Sequence, residues 1–180
     1  MKKIMYKYGF VILFAFAFVL MGCSGNTDTN TTNTNTNVPP PVTAHWKKDV
    51  SAVDIARIKW LEGTWRGTGE GQEPFYEKYK FDDTSLIVES FADASLKTVK
   101  DTTRYALVNG EFRYTTRDAR RIAASEITDD HIQFVPVVGA GNSYRFERQP
   151  EGKWRAVLEW AATDDKPAKQ VIYSMEPYKK

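Results

Sequence analysis

Gly63-Thr64-Trp65-Arg66-Gly67-Thr68-Gly69-Glu70-Gly71 is the stretch on which the fold turns. A tryptophan set among alternating glycines reads as the first strand of a small antiparallel β-barrel. Glycine weakens a plain strand, so inside one it marks a bend or the close approach of another group. A barrel needs such positions where its first strand curls across the floor and closes the wall. In this reading Gly63, Trp65 and Gly67 make the closure, and Trp65 plugs the bottom. The competing reading is a glycine-rich surface loop around one buried Trp.

Downstream of Gly63 the chain alternates apolar and polar residues, with turn signals at short intervals. Strands are expected at 64–70, 75–81, 85–92, 97–108, 111–116, 120–128, 131–138, 143–149, 153–162 and 169–176. The sharpest joint is Asn109-Gly110, because a two-residue type I′ hairpin wants positive φ at both central positions. The expected architecture is mainly β: one up-and-down antiparallel barrel of about 8–10 strands with a short N-terminal helix, since closure removes exposed edges. A two-sheet sandwich is the alternative. The helix is expected over 49–61, capped by Asp49 or Ser51, with Val53, Ala56, Trp60 and Leu61 as its apolar stripe.

The formal net charge of +2 misleads. Removing Lys2, Lys3 and Lys7 from the 25 basic residues, and Asp28 from the 23 acidic ones, leaves 22 of each from Ala44 onward. No basic field remains to attract nucleic acid. The one cysteine, Cys23, rules out an intramolecular disulfide and CxxC metal sites. The two histidines, His45 and His131, limit imidazole chemistry. No GxSxG, HExxH or phosphate loop is present.

The opening residues read as an address. Lys2, Lys3 and Lys7 make a positive start, and an apolar run over 10–21 follows, short for a mature membrane helix. It ends Leu20-Met21-Gly22-Cys23, which resembles the bacterial lipobox. That resemblance implies cleavage after Gly22, diacylation of the Cys23 thiol and a bilayer anchor at the cell envelope. Ser24 after the cysteine points to the outer membrane under enterobacterial sorting rules. Several acyl chains hold firmly, each buried CH₂ contributing about 0.8 kcal/mol. Residues 23–43, Asn/Thr repeats ending in Pro39-Pro40-Pro41, hold too little apolar material to order themselves and read as a tether. The organisation expected is therefore a signal peptide at 1–22, a lipidated tether at 23–43 and a barrel domain at 44–180.

Alternation also predicts the inward faces. Phe75, Tyr79 and Phe81 share one with Glu77; Tyr144 and Phe146 share one with Arg148. Val99, Thr103, Tyr105 and Leu107 share one with Asp101, while Trp154, Ala156, Leu158 and Trp160 share an uncharged one. A barrel of this size can enclose a small apolar or amphipathic molecule with a few polar anchors. The candidate lining is Phe75, Glu77, Tyr79, Asp101, Tyr105, Phe146, Arg148, Trp154 and Trp160, with Glu77, Asp101 and Arg148 as anchors. The alternative is that the apolar faces fill the core, the charges sit at the rim or outside, and the domain serves as a protein-interaction module. No catalytic residue and no metal site is expected.

The stretch 63–71, followed by Pro74-Phe75 and the strand from Tyr76 to Phe81, resembles the amino-terminal part of nitrobindin-type domains with their GxWxGxG-like signature. Trp60-Leu61-Glu62-Gly63-Thr64-Trp65, with Ile172-Tyr173 in the closing strand, also resembles bacterial lipocalin-like domains. Both resemblances imply a calycin-like barrel around an apolar cavity. Nitrobindins hold haem through a histidine near the carboxy-terminal strands. Lys169 to Tyr178 contains no histidine, and His131 comes too early to match. No Arg-x-Tyr group of the fatty-acid-binding kind follows Pro150. No cofactor is therefore expected, and a nitrobindin-like haem protein stays only as the lesser alternative that the resemblance implies.

Overall fold

The computed structural model describes residues 45–179. The expected signal peptide, Cys23 and the expected tether lie outside the described residues.

Ten antiparallel strands form a closed barrel: β1 Gly63–Gly69, β2 Phe75–Phe81, β3 Ser85–Phe91, β4 Val99–Val108, β5 Glu111–Thr115, β6 Arg121–Ile127, β7 His131–Val138, β8 Ser143–Arg148, β9 Trp154–Trp160 and β10 Lys169–Pro177. Each strand pairs with its neighbour in sequence, and β1 pairs with β10 to shut the wall, so the topology is up-and-down. Local hairpins dictate most of this. Asn109 and Gly110 adopt φ of 52° and 78°, the two positive values that a type I′ turn requires between β4 and β5. Register shifts interrupt the regular ladders where Lys100 of β4, Ser125 of β6 and Val137 of β7 are each passed over by the pairing. Bulges of this kind bend a strand and increase its twist, as a closing wall demands.

The short turns after β2, β4, β6 and β8 lie at one end of the barrel, together with the entry to β1. Here the chain before the barrel makes a plug. Lys47 N–H donates to Ala124 O and Val50 N–H to Gly110 O, each at 2.8 Å, so residues 47–50 run over β6 and the β4–β5 turn. The Trp46 indole N–H donates to Glu111 Oε1 at 2.7 Å. Helix α1 (Ala52–Arg57) follows, then a 3₁₀ turn, Lys59–Leu61. Asp54 accepts bonds from Ser51 N–H and Ser51 Oγ–H, both at 2.9 Å, which ties down the first turn.

Of the expected apolar stripe, Leu61 is buried and Trp60 packs against the core, but Val53 and Ala56 do not face inward. Ile55, Ile58 and Leu61 are buried, whereas Val53 is 75% exposed and Ala56 is exposed. The helix lasts only six residues before the chain tightens into a 3₁₀ turn, where three residues make a turn. A 3.6-residue period extended back from Trp60 and Leu61 therefore lands on the wrong face.

Trp65 closes the floor above this plug. It is buried, its Nε1–H donates to Leu61 O at 2.8 Å, and its ring meets Trp154 edge-on at 5.8 Å. The glycines of β1 serve chiefly as places of close approach. A Cβ on Gly67 would stand 2.0 Å from the Phe75 ring, and one on Gly69 would stand 2.7 Å from Tyr173. These two rings pack edge-to-face at 5.6 Å across the backbone of β1. The core is one continuous cluster from Ile58 and Leu61 at the plug through Phe112, Phe134 and Tyr144 to Tyr173.

Candidate functional site

The inward positions of β2, β3, β4, β8, β9 and β10 surround an internal cavity of about 30 Å³. Register explains who meets there. Glu77 on β2 pairs with Ser90 on β3, which pairs with Asp101 on β4. Tyr79 lies beside Val88, and Val88 beside Thr103. On the opposite wall Tyr144 pairs with Leu158, Phe146 with Ala156, and Trp154 with Met175. All of these except Asp101 line the cavity, and so does Tyr105.

Glu77 is the only acidic residue in that lining, and no Lys, Arg or His belongs to it. Its carboxylate is buried, accepting a bond from Tyr79 Oη–H at 2.9 Å and one from Ser90 Oγ–H at 3.1 Å. Burial pushes its pKa up from 4.5 to about 7, against the opposing pull of the two hydroxyl donors. Tyr144 donates to Tyr105 Oη at 3.0 Å in the same chamber. Burial raises the pKa of both phenols above the usual 10, so they stay protonated at neutral pH. The floor is aromatic: the Trp154 ring lies 5.2 Å from Tyr79 and 5.1 Å from Phe146, centroid to centroid. Trp154 Nε1–H is buried and finds no hydrogen-bond acceptor among the described residues.

The chamber brings together five of the nine residues proposed as lining from sequence: Glu77, Tyr79, Tyr105, Phe146 and Trp154. The other four sit elsewhere. Phe75 is buried, but its ring is spent on Gly67 and Tyr173. Asp101 is half-buried on β4, directly across from Ser90, and does not belong to the lining. Arg148 ends β8 at the plugged end, where its long side chain is exposed to water. Trp160 is half-buried at the other end of the barrel, with Lys169 Nζ 5.5 Å from its ring centroid. There it borders a shallow surface depression of about 400 Å³ with Glu159 and Ala168.

Sequence reasoning missed Ser90, the second donor to Glu77. The alternation Leu86, Val88, Ser90 could have found it, since Ser90 is the polar member of an inward apolar row. His131 stands on the outer side of β7, within 3.2 Å of Glu126 Oε2 and 3.1 Å of Thr128 Oγ1, away from the chamber. Among the described residues no cluster of His, Cys, Asp and Glu has the makings of a metal site.

The chamber can seat a small guest beside Glu77, whose carboxylate retains acceptor capacity. A carboxylate has about four lone-pair sites, of which the two hydroxyls fill two. Compared with known proteins, the chain matches no family model, and no curated protein matches it.

Proposed function

We propose that this chain is a membrane-anchored envelope lipoprotein whose lipocalin-like barrel binds a small amphipathic molecule. The observation that carries the reading is Glu77: an acidic side chain, buried, lining an internal cavity and facing aromatic rings with no cation beside it. Burying a carboxylate without a charge partner is costly, and a packed core alone gives no reason for it. A guest that meets Glu77 with a polar head and the rings with an apolar body gives one. The anchor rests on the lipobox-like Leu20-Met21-Gly22-Cys23 and on the polar residues after it. Binding or carriage, with no chemistry, is the activity proposed.

Native mass spectrometry of the full-length chain released from membranes tests this. The expected result is a retained small molecule that leaves on denaturation. A bare polypeptide mass, together with no binding of small amphiphiles in solution, sinks the reading. A second reading draws on the size of the chamber. At about 30 Å³ it takes a guest of only a few heavy atoms without rearrangement, and most of the interior is filled by side chains. That favours an interaction module that uses its outer wall. Crosslinking in intact envelopes would then capture a protein partner that Glu77→Gln leaves unaffected.

A further inference from the structure

Resting on the small-molecule reading above, we infer that the chamber of the barrel is a site for a short organic ammonium ion, with Glu77 as its counter-charge and the rings of Tyr79, Phe146 and Trp154 as its apolar cradle.

Three observations converge. The first is charge: Glu77 is buried in the wall of the chamber, and the lining supplies hydroxyls but no cation. The second is the character of the wall. Tyr79, Phe146 and Trp154 stand within 6.4 Å of one another, centroid to centroid, beside that carboxylate. Aromatic faces carry negative potential, so a ring cluster next to a carboxylate attracts an organic cation and has little to offer an anion. A fatty acid would meet Glu77 with like charge. The third is size. A water needs roughly 10–15 Å³ of such space, so about 30 Å³ admits a guest of two or three heavy atoms as the side chains stand. Methylammonium and ethylammonium meet that limit, and their N–H donors match the two acceptor sites that Tyr79 and Ser90 leave free on Glu77.

The titratable groups facing Glu77 are phenols. Tyr79 lies on its own strand, Tyr105 on β4 and Tyr144 on β8, while Ser90 on β3 and Trp154 on β9 are uncharged. Asp101, the register partner of Ser90, is the acid on β4 and lies outside the lining. Carboxylate ionisation therefore governs the charge of the chamber between pH 5 and 8. With Glu77 titrating at about 7, ammonium binding tightens as pH rises from 6 to 8.

The test is an NMR titration of the full-length chain in detergent micelles with ethylammonium chloride, sodium chloride as ionic control and ethanol as the neutral probe of matching size. The expected result is saturable shifts at the Tyr79, Phe146 and Trp154 rings with ethylammonium. Ligand efficiency limits a guest of three heavy atoms to roughly submillimolar affinity at best. Glu77→Gln removes the charge and keeps one of the two oxygens that Tyr79 and Ser90 donate to, so one hydroxyl must turn to accept from the amide; the variant should weaken ethylammonium at least tenfold while sparing ethanol. Equal binding of ethanol and ethylammonium, unaffected by Glu77→Gln, overturns the ammonium site and leaves the small-molecule reading standing. No binding of either probe also overturns the ammonium site, while the small-molecule reading falls only with a bare polypeptide mass in the native spectrum as well. Should the variant fail to fold, the pH series on the unmodified chain decides: affinity unchanged from pH 6 to 8 overturns the inference.

Discussion

Glu77 is the residue at which packing and function pull apart. Its raised pKa means that the folded protein holds a proton the unfolded chain has already released between pH 4.5 and about 7. The stability this contributes is present in full below the ordinary carboxylate pKa and is lost as pH rises through 7. Without added ligand, urea unfolding midpoints should therefore fall between pH 5 and pH 8. Glu77→Gln should remove that slope and gain on the unmodified protein by an amount on the order of a few kcal/mol at pH 8. Parallel pH profiles for the two proteins would show that Glu77 is not desolvated. Gly67 makes a second residue-scale case. Its missing Cβ leaves the space that the Phe75 ring occupies. Gly67→Ala overpacks that contact and should cost about 1–3 kcal/mol in the same unfolding assay. A neutral result would mean that Phe75 simply swings away.

At the scale of elements, strands were legible in the sequence because each is a hairpin arm, marked by a turn on both sides. Phe75–Phe81 and His131–Val138 fall where alternation places them, and the other strands differ by a residue or two at their ends. The stripe was legible at Trp60 and Leu61 but not in the α turn before them. Whether Val53 or Ile55 faces the barrel depends on where the α turn gives way to the 3₁₀ turn, and that is set by the docking of Leu61 under Trp65. Local spacing does not encode that contact. The difference is measurable. Ile58→Ala empties a fully buried position in the plug and should cost about 2–5 kcal/mol. Val53→Ala trims an exposed side chain and should stay within about 0.5 kcal/mol. Equal effects would mean the plug is not docked as described. The candidate site was half legible for a related reason. Alternation gives the inward face but not the depth along the strand, so Arg148 at one end and Trp160 at the other were grouped with Glu77 and Phe146, which sit between them.

At the scale of the molecule, the decisive contact joins the two ends of the described chain. β1 pairs with β10 from Trp65↔Pro177 to Gly69↔Tyr173, and Tyr178 N–H extends the closure to Thr64 O at 2.8 Å. Tyr178 Oη–H also reaches Ala94 O at 3.1 Å, and its ring meets Tyr76 edge-on at 4.8 Å. A meander has no other device for removing its edges. Without β10, both β1 and β9 would expose unpaired N–H and C=O groups, and the core would lose Tyr173 and Met175. Of the ten strands β10 is the most distant in sequence from β1, so this long-range pairing should be a late, slow step in folding. A chain ending at Ala168 should therefore yield aggregated protein without a cooperative unfolding transition. A chain ending at Lys179 keeps the closing contacts among the described residues and should melt like the full-length protein. Circular dichroism melts and size-exclusion profiles of the two truncations separate these outcomes. A soluble, cooperatively melting protein that stops at Ala168 would mean that nine strands suffice to seal the wall, and that Trp65 closes the floor without help from its β10 partner.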